Sequence, residues 1–344
     1  MADERGDVWP ISPLAPYELR LPLHVVPLAA GAGINNQVRV VRTGAGRFLW
    51  KHLAHTDPNR TIAEHYLLAW LAGAGLPFGT PQPLATAAGS TLIPAPGGGY
   101  YALFRWLPGE PLARRDPATI AALGAALGTL HAALATLPAE RRPPWKTHGA
   151  LASLHPRVPN PATLTPRDLG LPEGGPYRAA LDRWRGLVAG LKPFLATVYP
   201  SLPWQVIHGD FGPGNALASG TRITAILDFE FAQYDARALD LAAGLEMIVR
   251  REGLSLPEAL ALGGALCAGY TRTAQLLPAE LAALPQLILL RQVVGVIWCL
   301  GRALVDGDLA PLLARLDNAL RFRDWLRSNE RPLLDSIASA IAQR

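Results

Sequence analysis

Val206-Ile207-His208-Gly209-Asp210-Phe211-Gly212-Pro213-Gly214-Asn215-Ala216-Leu217, followed by Ala225-Ile226-Leu227-Asp228-Phe229-Glu230, is the stretch on which the reading of the whole chain turns. Asp210 precedes Asn215 by five residues, and Asp228 follows Asn215 by thirteen. Phosphoryl transfer from a nucleotide needs such a set. One carboxylate orients the attacking hydroxyl and accepts its proton, while an amide oxygen and a second carboxylate hold Mg²⁺ on the phosphates. Residues 216–217 and 222–227 read as two strands, with Ser219-Gly220 as the turn between them. A hairpin with Asn215 at its start and Asp228 at its end returns both to one edge. The spacing His-x-Asp-x4-Asn also arises by chance in hydrophilic loops. Here, however, an apolar run at 205–207 precedes it and a hairpin ending in Asp-Phe-Glu follows.

The chain has 344 residues, 50% apolar and 17% charged, with a net charge of +5. That describes a folded protein long enough for two lobes, each with its own core. The basic residues are mostly arginine, no block of five Lys/Arg occurs, and aromatics do not interleave with cations, so no nucleic-acid partner is expected. Cys267 and Cys299 both lie in apolar helix-like stretches and read as buried free thiols. The N-terminus has no basic region followed by an apolar core. The apolar run at 292–300, bounded by Arg291 and Arg302, falls short of the roughly 20 residues of a membrane span. The expectation is a cytoplasmic protein with no membrane partner. The oligomeric state stays open.

Upstream, residues 23–28, 37–41 and 47–53 read as three strands, with a hairpin turn at Thr43-Gly44-Ala45-Gly46. Lys51 sits in the third. A strand lysine is ordinarily a solvated residue on the polar face. But the chain has only three lysines, Lys51, Lys146 and Lys192. One on the third strand after a glycine-bearing loop is expected to contact nucleotide phosphates. Residues 61–71 read as a helix carrying Glu64, the only acidic residue between Asp57 and Glu110. Glu64 is expected to pair with Lys51; the alternative is that it favours the first turn of its helix through the dipole. The loop Gly31-Ala32-Gly33-Ile34-Asn35-Asn36 lacks the third glycine of a G-x-G-x-x-G pattern. Its backbone, at Gly33, Asn35 and Asn36, could still approach phosphate oxygens. Strands at 90–94 and 100–106 lead into Leu107-Pro108-Gly109, where the hinge between lobes is placed. Phe104, Arg105 and Trp106 would offer backbone groups to an adenine. The division is residues 1–106 as a nucleotide-binding lobe and 107–344 as a helical lobe holding the catalytic loop and substrate site.

In the second lobe, residues 117–137 form a helix in which Gly124 and Gly128, one turn apart, suggest close packing. His131 reads as a packed or surface histidine. Residues 138–177 are proline-dense and irregular, and read as a substrate-side flap. A helix follows at 177–199. Asp240 opens a helix reaching about residue 251. It is sufficiently explained as a helix cap, with buttressing of the catalytic loop as a second role. Further helices are expected at 257–274, 278–304, 308–326 and 331–342.

With Lys51, Glu64, His208-Gly209-Asp210, Asn215 and Asp228 in this order, the chain resembles the aminoglycoside phosphotransferase and choline kinase superfamily. Gly33-Ile34-Asn35-Asn36, Leu76-Pro77-Phe78 and Asp228-Phe229-Glu230-Phe231-Ala232 are similar to the homoserine kinase type II branch. The resemblance spans about residues 25–250. It implies an α+β, protein-kinase-like bilobal fold, with a small antiparallel β-sheet lobe carrying one helix and a mostly α-helical lobe. It further implies that Asp210 is the catalytic base, that Asn215 and Asp228 bind Mg²⁺, that Lys51 contacts the phosphates of ATP, and that His208 and Asp240 shape the catalytic loop. The Gly/Pro-rich loop after Asp210 lacks the charged residue of protein kinases, which favours a small acceptor over a protein one.

The expected partner is therefore a small-molecule hydroxyl substrate. From residue 107 on there are 24 Lys/Arg against 21 Asp/Glu, a net of +3. That balance suits a zwitterion such as homoserine better than a polycation. Aminoglycoside, choline, ethanolamine and sugar acceptors are the alternatives, and a catalytically silent nucleotide-binding pseudokinase is the alternative of another class.

Overall fold

In the computed structural model the chain divides into two compact units. One is Met1–Pro108 with Ala225–Glu230, the other Gly109–Thr224 with Phe231–Arg344. The structure describes residues 11–28, 37–53, 57–96, 98–112, 116–170, 176–250, 253–308 and 310–343.

The first unit is built on a five-stranded sheet. Its strands are β1 (Leu23–Pro27), β2 (Gln37–Thr43), β3 (Gly46–Leu53), β4 (Ile93–Pro94) and β5 (Tyr100–Arg105), ordered β1-β2-β3-β5-β4. Every pairing is antiparallel. The β2–β3 turn closes with the Ala45 N–H donating to Thr43 Oγ1 at 3.0 Å, a hydroxyl standing in for a backbone acceptor. Alternation along the strands sends Val41, Trp50, Tyr101 and Leu103 into a core shared with Leu14 and Tyr17. Lys51, between Trp50 and His52, pairs in register with Val38 and Ala102. Between β3 and β4 lies α1 (Pro58–Gly73), which starts three residues earlier than its apolar pattern suggests. Asp57 caps it, accepting the Asn59 N–H at 3.0 Å, and Pro58 occupies the first turn, where no N–H is needed. Glu64 consequently falls in the second turn, which removes the first-turn dipole explanation for it.

The second unit opens with β6 (Glu110–Pro111) and is then mostly helical: α2 (Pro117–Ala135) and α3 (Pro176–Thr197) precede β7 (Trp204–Ile207). The hairpin β8 (Ala216–Ser219) and β9 (Arg222–Ile226) follows, then β10 (Gln233–Ala236), α4 (Ala238–Val249), α5 (Leu256–Tyr270), α6 (Pro278–Asp306) and α7 (Ala310–Ala342). β6, β8 and β9 form a small sheet, and β10 pairs antiparallel with β7. The glycine spacing in α2 does what it suggests. A Cβ at Gly124 would sit 2.0 Å from the Leu266 carbonyl oxygen, and one at Gly128 2.2 Å from Thr273 Oγ1. Helices α2 and α5 thus meet backbone to backbone, closer than any side chain permits.

One helix expectation fails. Residues 308–326 and 331–342 are not separate: α7 runs through Pro332. An interior proline removes a hydrogen bond and costs about 3 kcal/mol. Leu326, Leu333 and Ile337 are buried on either side of it, and at about 1.5–3 kcal/mol per buried aliphatic side chain they offset that cost. The irregular stretch after α2 is anchored by short 3₁₀ turns and by buried Leu151, Val158, Leu164 and Leu169. Cys267 is buried and Cys299 half-buried, both free. By length and composition α2 and α6 could each cross a membrane, α6 extending well beyond the short run read from sequence. Yet 61% of each apolar window is buried within the fold, as in core helices.

Candidate active site

Strand β7 delivers the chain into a loop held by a carboxylate from α4. Asp240 accepts the His208 N–H at 2.7 Å and the Gly209 N–H at 2.8 Å. Its Oδ2 lies 3.0 Å from His131 Nε2, and His131 Nδ1 lies 3.1 Å from the Tyr270 hydroxyl. Asp240 is fully buried. Burial opposes its charge, but the His131 hydrogen bond and the electrostatic influence of His131 and His208 prevail, so its carboxyl stays below the usual range. α4 starts at Ala238, and its cap residue is Arg237, without a side-chain cap bond. Asp240 is therefore a buttress of the loop and not a helix cap. Gly209 has φ +83°, and a Cβ there would lie 2.0 Å from the Phe231 carbonyl oxygen. Only glycine fits.

Asp210 follows, its side chain 27% exposed. Asn215 Nδ2 donates to the Asp210 carbonyl oxygen at 2.8 Å and to Oδ2 at 3.1 Å. Arg291 of α6 donates through Nη2 to Asp210 Oδ1 at 2.7 Å and through Nη1 to the Gly209 carbonyl oxygen at 2.8 Å. The carboxylate is thus fixed from both oxygens. Burial works against the Arg291 charge, but Asp210 and Glu246 more than compensate, and its pKa is raised. Sequence reading missed Arg291, which lies 81 residues from Asp210. The available signal was a cation inside an apolar helix, which must find a partner.

The first unit gathers the other candidates. Lys51 Nζ stands 3.8 Å from Asp228 Oδ1 and 5.5 Å from the Phe104 ring centroid. Asp228 adopts φ 64°, a strained left-handed conformation for a non-glycine residue, of the kind that clusters at functional sites. Among the described residues the ion pair of Lys51 is with Asp228, not with Glu64. Glu64 acts at longer range: burial opposes the Lys51 charge, while Asp228, Glu64 and Glu230 together raise its pKa. The Glu64 carboxyl is pushed up to about 7. Burial is the main cause, eased by Lys51 and reinforced by Asp228 and Glu230. Arg60 donates to the Glu230 carbonyl oxygen at 3.1 Å.

Gly33, Asn35 and Asn36 lie outside the described residues. At the end of β5, Phe104 is buried and the Arg105 N–H donates to the Gln82 carbonyl oxygen at 3.0 Å, so that donor is already used. Trp106 carries the Arg47 guanidinium 4.5 Å from its ring centroid. The structure therefore brings Asp210 and Asn215 together in one unit, and Lys51, Glu64 and Asp228 together in the other. Each unit by itself offers an oxygen donor of the kind a hard cation takes. Asp228 offers carboxylate oxygen, and Asn215, whose Nδ2 is turned to Asp210, keeps its amide oxygen for another ligand.

An antiparallel sheet with a paired strand lysine, and a helical unit with a braced Asp210 loop, define a small-molecule kinase of the protein-kinase-like α+β fold. The model of the APH phosphotransferase enzyme family matches residues 26–276, and the chain belongs to that family. A homoserine kinase of Methylorubrum populi is 32% identical over 265 residues, covering 74% of each chain. One of Brucella suis is 30% identical over 266 residues, covering 74% of this chain and 72% of the relative. Among solved structures, a microcompartment-associated aminopropanol kinase aligns with TM-score 0.67 at 18% identity, over 92% of this chain and 96% of that one. Amicoumacin kinase in complex with AMP-PNP, Ca²⁺ and Ami aligns with TM-score 0.65 at 19% identity, over 90% and 91%.

Proposed function

We propose that the protein transfers the γ-phosphoryl group of ATP, with Mg²⁺, to the hydroxyl of a small amino-acid-like acceptor, homoserine or a close relative. The observation that carries this reading is the Asp210 carboxylate, bonded through one oxygen to Asn215 and through the other to Arg291. A base held this way can orient an acceptor hydroxyl and take its proton as the O–P bond forms. Mg²⁺, when bound, neutralises charge on the β and γ oxygens, and Asn215 and Asp228 are the residues that would hold it. Lys51, kept charged by its carboxylate neighbours, would neutralise the phosphates from the protein side. Glu64 tunes Lys51 through charge and not through a direct ion pair. Asp240 positions Asp210 through the backbone of residues 208 and 209. The choice of homoserine draws on the relatives that bear that name at 30–32% identity and on the cationic balance of the second unit. The cytoplasm, where ATP and Mg²⁺ are both at hand, is the compartment this reading implies.

The test is ATP consumption with Mg²⁺ against homoserine, other hydroxy-amino acids, choline, ethanolamine, amino sugars and an aminoglycoside. Homoserine is expected to turn over. Asp210→Ala should lower kcat about 10²–10⁴-fold, with the fold intact by circular dichroism. Near-normal turnover in that variant would sink the assignment.

A further inference from the structure

Beside Asp210 the second unit gathers more positive charge than its own carboxylates can match. Arg291 already spends Nη2 on Asp210 and Nη1 on the Gly209 carbonyl oxygen. Its Nε has no hydrogen-bond partner and stands 3.9 Å from Glu246 Oε2. Glu246, on α4, is buried. Its Oε1 lies 3.7 Å from Arg250 Nη1, which is likewise without a hydrogen-bond partner. A third guanidinium completes the group. Arg315, on α7, lies across Gly295: a Cβ at that glycine would fall 2.0 Å from Arg315 Nη2. Gly295 is four residues beyond Arg291, on the same face of α6, so the missing side chain makes the room in which Arg315 lies beside Arg291. Among the described residues no carboxylate lies within 4.0 Å of Arg315. Burial lowers its pKa, and the pull of Glu246 is countered by Arg250 and Arg291.

Asp210 thus takes one guanidinium, Arg291, and Glu246 is left among Arg291, Arg250 and Arg315, while Asp240 acts on Arg291 at longer range. A half-buried cation without a counter-ion is costly, and its remedy here is an anion from outside. Arginine presents a planar fork of donors suited to a carboxylate. We infer that Arg315, with Arg291 beside it, forms an oxyanion subsite that binds the carboxylate of the acceptor and so selects hydroxy acids over their decarboxylated amino-alcohol counterparts. The inference rests on the phosphoryl-transfer reading for its chemistry, but binding alone can test it. Arg291 is held by Asp210, so Arg315, which forms no ion pair among the described residues, is the specificity-determining residue of the two.

The experiment uses matched pairs of compounds that differ by the carboxylate alone: homoserine with 3-aminopropan-1-ol, and serine with ethanolamine. Binding to the full chain is measured by calorimetry, and phosphoryl transfer from ATP is measured separately. The wild type should favour at least one acid over its partner by about 10-fold or more, the range of one charge-assisted hydrogen bond. Arg315→Gln should abolish that preference with ATP affinity unchanged, and Arg315→Lys should restore part of it. Equal affinity within every pair, no binding of any acid, or a preference that survives Arg315→Gln would overturn the subsite. So would an Arg315→Gln variant whose loss falls on ATP, since the anion would then be the nucleotide's own phosphate. Acid preference lost in the variant without any phosphoryl transfer supports the subsite while removing the kinase reading. Transfer with no acid preference does the opposite.

Discussion

The two units concentrate charge in opposite senses. Around Lys51 three carboxylates act together, Asp228, Glu64 and Glu230, with Arg60 as the second cation. In the second unit the balance is reversed: Arg291 pairs with Asp210, and Arg250, Arg291 and Arg315 crowd Glu246. An acid-rich cluster on a strand and an adjoining helix is completed by a cation, and a base-rich cluster on three helices by an anion. The difference teaches that the unit holding Asp210 is not a scaled copy of an acidic, polycation-binding site. Its asymmetry suits an acceptor that brings negative charge.

The largest effects should come from removing one carboxylate from each cluster. Asp228→Asn is expected to lower kcat about 10³-fold and to raise the Mg²⁺ concentration needed for half-maximal rate. Asp210→Asn should lower kcat comparably while leaving the Mg²⁺ requirement near its wild-type value, because the base acts on the acceptor proton. Mg²⁺ titrations of the residual activity distinguish the two. An identical Mg²⁺ shift in both variants would erase the contrast between the units.

Much of this was legible in the sequence because the decisive residues are local. Asp210, Asn215 and Asp228 fall within one loop and one hairpin, and Lys51 could be placed because lysine is rare and its strand follows a clear turn. The helices of the second unit followed from periodicity, and the Gly124 and Gly128 spacing pointed to close packing of α2, whose partner, α5, only the structure identifies. What escaped depends on distance or on competing local explanations. Arg291 reaches the catalytic loop from α6, with Arg315 of α7 beside it, and no local pattern links either to Asp210. His131 looked like an ordinary packed histidine, yet it braces Asp240 from 109 residues away. Asp240 was satisfied on paper by a cap, because acidic residues near helix starts are common; only the true start at Ala238 frees it for the loop. The break expected between residues 326 and 331 is absent because burial of Leu326, Leu333 and Ile337, which no local pattern weighs, outweighs the hydrogen bond that Pro332 removes.

Next in size is the buttress. Asp240→Ala would leave the His208 and Gly209 N–H groups and His131 without their shared acceptor, all of them buried. Removing one partner of such a buried pair costs about 3–5 kcal/mol. The melting temperature should fall, and the residual folded protein should show reduced kcat with little change in ATP affinity, since Asp240 positions the base and not the nucleotide. Asp240→Asn keeps the shape but presents only one acceptor oxygen to two backbone donors, and should lie between wild type and Asp240→Ala in both measurements. A variant that melts lower with kcat intact would show that the bonds to residues 208 and 209 stabilise the loop without aligning Asp210.

The smallest effect lies in the acid-rich unit and is read in stability against pH. Glu64 and His65 are neighbours on α1 with opposite displacements. The Glu64 carboxyl is raised from 4.5 to about 7, chiefly by burial. Burial, with a further push from Lys51, lowers His65 from 6.5 to about 4. Between pH 4.5 and about 7 the folded chain holds the Glu64 proton that the unfolded chain has released, so this residue makes stability fall as pH rises. Between about pH 4 and 6.5 the unfolded chain binds a proton on His65 that the folded chain refuses, so that residue makes stability rise with pH. The contributions oppose each other over the shared window from 4.5 to 6.5. Glu64→Gln should therefore expose a rising slope, and His65→Asn, which retains a polar partner for Thr91 Oγ1, a falling one. Denaturant midpoints of both variants and the wild type between pH 4.5 and 7 check the signs. Parallel curves for all three would mean that neither group is held away from its ordinary titration, and that the crowding of carboxylates around Lys51 is screened by water and not by the protein.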